Sequence, residues 1–211
     1  CLGGVIFFGP WLGFVYNYIG ICIGSLAAFG ISRMMGRPVL HKMFSEKLIQ
    51  KYGTRDPFEL IDALPNTKLW PARSLDADGL RGFATIVNRV RYIAVNPHLP
   101  YEEQRVIAGH ELGHIFEHSN HLRYQAMQDF DIYQATGRLE REANFFAADL
   151  LLDDEEVLDL IHSGNTDFFS VAKELCIPAP FFAFKMYSLI RRGEHLQLPV
   201  DIDNRYLRAK H

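Results

Sequence analysis

The sequence predicts an α+β domain, a small antiparallel sheet packed against a long helix, preceded by a hydrophobic transmembrane helical segment. Three observations carry this expectation. Residues 1–32 contain no Asp, Glu, Lys, Arg or His, a run well beyond the roughly 18 apolar residues that argue for a membrane span. Runs rich in Val, Ile, Thr and aromatic residues between positions 67 and 96 are separated by turn residues and read as strands. Val106 to His118 then reads as a helix carrying His110, Glu111 and His114 in the order H-E-x-x-H.

The chain has 211 residues and a net charge of -3, enough for one sizeable domain with an appendage and too mildly charged to imply direct contact with nucleic acid. Cys1, Cys22 and Cys176 are widely spaced and odd in number. They form neither a disulfide framework nor a C-x-x-C metal site, and a reducing, cytoplasmic setting suits the soluble part. Cys1 in place of an initiating Met suggests a fragment or a processed start.

Gly9, Pro10 and Gly13 interrupt the uncharged run early, which suits a broken helix leading into a span from about Phe14 to Ile31. Gly20 and Gly24 form a G-x-x-x-G close-packing face. Arg33, Arg37, His41, Lys42, Lys47 and Lys51 follow, and the positive-inside rule makes that flank cytoplasmic. Residues 33–52 read as a basic amphipathic helix joining the two parts, with the boundary near Ser45.

Asp56 is the expected N-cap of a helix from Pro57 to about Leu64, with Pro57 at the first helical position and Glu59 three after the cap. Strands follow at Thr67 to Trp70, Arg81 to Val87 and Val90 to Asn96, the last two joined as a hairpin at Asn88 and Arg89. An extended peptide could add to the edge of this sheet. Ser119 to Gly137 has weak periodicity and reads as a mobile loop bordering the cleft, with an unrecognised helix as the alternative for a loop this long. A helix from about Gly137 to Leu152 presents Ala143, Phe146, Ala147, Leu150 and Leu151 to the core. Asp153 caps a short helix ending near Gly164, and Asp153 to Glu156 read as its solvated start. Ser170 to Gly193 has a helix-turn-helix pattern, but Phe181, Phe182, Phe184, Met186 and Tyr187 point to core packing, not to base reading. The tail from Glu194 is expected to be poorly ordered.

The chemistry follows from helical spacing. Residues four apart lie on one face, so His110 and His114 can offer ring nitrogens to one metal ion. Glu111 lies about 100° round from His110, beside the metal, where it can take a proton from water. Gly109 and Gly113 each cost a helix interior about 1 kcal/mol relative to Ala, so they predict a close neighbour. A catalytic zinc site uses three protein ligands and leaves one position for water. Glu140 and Glu142 both qualify as the third; two apart, only one can face the metal. His118 stays on the ligand face one turn beyond His114, where a supporting or surface role is expected.

H-E-L-G-H at His110 to His114, followed by E-x-E-A-N-x-F-A-A-x-L-L from Glu140, resembles the ImmA/IrrE family of zinc metallopeptidases. KYGTRDPFEL at Lys51 to Leu60 resembles that family's entry segment, and the likeness runs from about Glu46 to about Gly193. It implies a zincin-like metallopeptidase domain with Zn²⁺ held by His110, His114 and Glu142, Glu111 as general base, and Glu140 as the alternative third ligand. Family members often cleave helix-turn-helix repressors, so the implied partner is a protein substrate of that class. FGPWLGFVYNYIGICIGSLAAFGISRMMGRP resembles part of the DedA-like (SNARE-associated, VTT) membrane proteins. The expected organisation is a membrane segment at 1–45 inserted through residues 1–32, a metallopeptidase domain at 46–193 and a tail at 194–211. The peptidase part is then membrane-anchored on the cytoplasmic side, or simply cytoplasmic if the first segment is an artefact. The competing readings are a DedA-like membrane protein and a regulator-binding module without turnover.

Overall fold

The computed structural model describes residues 2–70, 72, 75–76, 79–122, 127–129, 137–163 and 167–197, without the side chains of 2–10, 13, 27–38, 121 and 127–129. The chain divides into two compact units, Cys1–Arg37 and Pro38–His211. Tail residues 198–211 and most of the segment 123–136 lie outside the described residues.

Helix α1 runs from Leu2 to Tyr52 without interruption. The break expected at Gly9, Pro10 and Gly13 is absent. Pro10 brings no N–H to the ladder and so costs a backbone hydrogen bond, but the turns on either side continue. Among the described residues no helix is long and apolar enough to cross a membrane. The separate joining helix expected at 33–52 is the last part of α1. In the second unit His41, Ser45 and Leu48 are buried at i, i+4 and i+7, the spacing of one helical face. These three residues lie within the second unit, which begins at Pro38.

Helix α2, Pro57–Ala63, starts as its sequence dictates: the Asp56 carboxylate accepts from the amides of Phe58 at 2.8 Å and Glu59 at 3.1 Å. Strands β1 (Thr67–Trp70), β2 (Gly82–Val87) and β3 (Val90–Val95) lie where the pattern put them. Asn88 and Arg89 have φ of 51° and 66°, the left-handed pair a two-residue hairpin requires. Asn96, fully buried, ends β3 by donating to the carbonyls of Asp76 and Leu80 and accepting from the amide of His98.

The sheet corrects two expectations. Its strand order is β1-β3-β2-β4, and β1 pairs with β3 in parallel, so the sheet is mixed and not antiparallel throughout. The fourth strand, β4 (Met127–Asp129), comes from the segment read as a loop and pairs with β2, Gly82 opposite Asp129. Three residues are too few to carry a period-2 signal. The short helix α4, Ser119–Leu122, opens the same segment, where a helix was the alternative to a loop.

Helix α3, Tyr101–Glu117, is buried at every residue from Val106 to Ile115 and forms the axis of the domain. The sheet covers one side. Helix α5, Arg138–Leu151, covers the other, buried from Ala143 to Leu151. Gly109 and Gly113 explain the fit. A Cβ on Gly113 would meet the Cα and carbonyl oxygen of Ala143 at 3.0 Å, and one on Gly109 would touch Ala147 and Leu151 at 3.4 Å. The expected close neighbour is therefore α5.

Helices α6 (Asp154–His162), α7 (Phe168–Glu174) and α8 (Ala179–Arg191) close the domain. Phe181, Phe182, Phe184 and Met186 are buried in the core, as expected from their type. The acid run is not simply a solvated helix start. Asp154 pairs with Lys185, Arg192 and Lys42, and Asp153 pairs with Arg55. Lys185 and Asp149, both fully buried, bond at 3.1 Å, and the Ser188 hydroxyl also donates to Asp149.

Candidate metal centre

Helical spacing brings His110 and His114 together on α3. Their Nε2 atoms lie 2.9 Å apart, with ring centroids at 4.6 Å, and neither ring is accessible to solvent. The third group on the same point is Glu140, from the first turn of α5. Its Oε2 lies 3.2 Å from His110 Nε2 and 3.3 Å from His114 Nε2. Burial alone would raise the Glu140 carboxyl, but hydrogen bonds and charge from His110 and His114 outweigh it and hold it well below the usual carboxylate range. Ligands about 2.0–2.1 Å from a tetrahedral ion sit roughly 3.3–3.5 Å apart. The three atoms thus fit one metal ion with small adjustments, and a tetrahedral ion with three protein ligands keeps its fourth position for water.

Glu142, placed third by family likeness, stands elsewhere. Its Oε2 lies 3.1 Å from His118 Nε2, and its Oε1 accepts from Arg138 Nε at 2.9 Å. The reason is helical phase. At about 100° per residue, Glu140 shares a stripe with Ala143, Asn144, Ala147 and Leu151, and Glu142 is some 200° away from Glu140. Ala143, Ala147 and Leu151 are the residues that meet the two glycines of α3. The small-residue stripe was the sequence signal that could have separated the two carboxylates.

Two further residues support the histidines. Asn144 Oδ1 lies 2.8 Å from His110 Nδ1, which fixes that ring with Nε2 toward Glu140. His118, the C-cap of α3, donates its backbone N–H to the carbonyl of His114 and sets its Nδ1 3.2 Å from His114 Nδ1. Glu111 is fully buried. Its Oε1 lies against β2, where a Cβ on Gly82 would come within 2.8 Å of it and within 2.5 Å of Ile107 Cγ2. Gly82 is thus required for the carboxylate's seat between α3 and the sheet. Beside it, β2 pairs with β4, so the outer strands of the sheet are β1 and β4.

A buried histidine pair on one helix, a carboxylate delivered by a later helix and a glutamate between them and a small sheet define a metallopeptidase-type domain. The sequence profile of the IrrE N-terminal-like domain, peptidase family M78, matches residues 72–187, more than half of the chain, and the chain belongs to this family. The VTT domain profile matches residues 1–56. The chain is also similar to the uncharacterized immunity region protein 2 of Bacillus phage phi105. The two are 31% identical over 134 residues, which cover 63% of this chain and 79% of the phage protein. No solved structure matches.

Proposed function

We propose that the protein is a zinc-dependent endopeptidase acting on a regulatory protein. The observation that carries this reading is the convergence of His110 Nε2, His114 Nε2 and Glu140 Oε2 within 3.3 Å of one another beside a buried Glu111. His110, His114 and Glu140 are assigned as ligands, with Glu140 replacing Glu142 in that role. Bound zinc would supply Lewis acidity toward a water molecule and the scissile carbonyl. Glu111 takes the proton of the attacking water and passes it to the leaving amine. Asn144 holds the His110 ring in register.

A helix-turn-helix repressor is the proposed substrate class. Its support is family membership together with similarity to a protein named for a phage immunity region. The proposed location is a membrane, with the peptidase unit on the cytoplasmic side. Support comes from the VTT match, from the basic residues Arg33 and Arg37, and from exposed apolar side chains such as Trp11, Phe14, Tyr18, Ile21 and Leu26, which fall on several sides of α1.

The test is zinc content and cleavage of candidate repressors by the purified chain. One zinc per chain, lost in Glu140→Ala and retained in Glu142→Ala, with cleavage abolished in Glu111→Gln, is the expected pattern. A folded chain without zinc would remove the hydrolase reading. Full regulation by the Glu111→Gln protein would leave a binding module in its place.

A further inference from the structure

Beyond the three ligand atoms, a second line of polar side chains runs away from the centre. His114 Nδ1 meets His118 Nδ1 at 3.2 Å, His118 Nε2 meets Glu142 Oε2 at 3.1 Å, and Arg138 Nε donates to Glu142 Oε1 at 2.9 Å. His118 is 5% exposed, so its ring exchanges few hydrogen bonds with water. Glu117, His118 and Glu142 also bring ligand-type atoms close enough to be mistaken for a second metal site.

Proton positions separate the two possibilities. A neutral imidazole carries one ring proton. If His114 presents Nε2 to a metal, its proton is on Nδ1 and donates to His118 Nδ1. The His118 proton must then be on Nε2, where it donates to the Glu142 carboxylate. A second metal on His118 Nε2 would move that proton to Nδ1 and set two ring N–H donors against each other between His114 and His118. Occupation of the first site therefore disfavours the second.

We infer that His118 and Glu142 are positioning residues, a Glu142–His118–His114 relay that fixes the ring of His114 and its tautomer, and not a second metal site. The inference rests on His114 being a zinc ligand, as proposed above. It gives the two ligand histidines matching support, since His110 is held by Asn144 through its own Nδ1. Arg138 completes the line by holding the far carboxylate oxygen. Such outer partners typically change metal affinity 10–100-fold when removed.

The experiment is zinc affinity of the full chain, by competition with a chromophoric chelator, for wild type, His118→Ala, Glu142→Ala, Glu142→Gln and the double variant His118→Ala/Glu142→Ala. The cobalt(II) form of each gives a visible d–d spectrum as a second readout. Wild type should bind one zinc. His118→Ala should bind it about 10–100-fold more weakly with a displaced cobalt band. Glu142→Ala should weaken binding less, and Glu142→Gln, which keeps an acceptor oxygen, should recover most of that loss. The double variant should be no weaker than His118→Ala alone. Glu142→Gln keeps the size of the side chain and an acceptor oxygen at a partly exposed position, so the Glu142 variants answer the question even if His118→Ala does not fold. One zinc in wild type with unchanged affinity in the Glu142 variants and in any folded His118→Ala protein overturns the relay and leaves the ligand assignment standing. Two zinc ions in wild type, one lost with His118, also overturn it. No zinc in wild type overturns the relay and the site together.

Discussion

Gly113 sits with its Cα against Ala143, so close that a Cβ would come within 3.0 Å of the Ala143 Cα and carbonyl oxygen. Both contacts are with backbone, which cannot rotate away. This one approach sets the distance between α3 and α5, and hence the distance from the two histidines to Glu140.

Gly113→Ala should therefore be destabilising even though Ala is the better helix former. Overpacking typically costs about 1–3 kcal/mol, against about 1 kcal/mol gained in helix propensity. The net loss should lower the thermal midpoint by a few degrees and weaken zinc binding, both measurable on the same protein. An unchanged midpoint and affinity would mean that α5 can shift freely.

Asn144→Ala removes the acceptor at 2.8 Å from His110 Nδ1. Zinc affinity should fall about 10–100-fold, while Asn144→Asp, which keeps an acceptor oxygen, should stay near wild type. Chelator competition distinguishes the two outcomes.

Chelation of zinc should lower the melting temperature, and added zinc should restore it. A ligand that binds only the folded state at about 100 times its dissociation constant adds about 2.7 kcal/mol. For a domain of this size that is on the order of 5–10 °C. Glu140→Ala should show no such response to zinc, whereas Glu142→Ala should retain most of it.

Lys185 and Asp149 are an ion pair without solvent access, joined by Leu152 O, Asp154 and Ser188. Burial pulls the Lys185 ammonium below its ordinary value, opposed by the charges of Asp149 and Asp154. Lys185→Ala would leave Asp149 buried without its main counter-charge, a loss of about 3–5 kcal/mol. Urea denaturation would measure it. Lys185→Ala combined with Asp149→Ala should recover part of the loss.

The same cluster predicts acid sensitivity. Burial by itself would raise the Asp154 carboxyl, but a hydrogen bond from Arg192 and the charges of Lys185 and Lys42 outweigh it and hold it well below the usual carboxylate range. A carboxyl lowered in the folded state contributes stability that is fully present above its unfolded value, about 3.9, and is lost as pH falls through the folded value. The urea midpoint of zinc-stripped protein should drop below about pH 4. Asp154→Asn should begin from a lower midpoint and show a shallower fall.

The sequence by itself determined the parts whose signals are local. The Asp56 cap, the strands at 67–70, 82–87 and 90–95, the hairpin at Asn88 and Arg89 and the histidine pair all depend on neighbours within a few residues. Such spacings survive in any tertiary context. Tertiary structure decided the rest. β1 joined the sheet in parallel because pairing partners are chosen by packing across the domain, and β4 was too short to announce itself. Lys185 and Asp149 look like ordinary surface charges in a string of residues, and only the folding of α8 onto α5 buries them together. Glu140 and Glu142 are chemically equivalent in sequence. Glu140 meets His110 and His114 because α5 docks through Ala143 and Ala147 onto Gly113 and Gly109, and Glu142, about 200° further round α5, reaches His118 at the end of α3 instead.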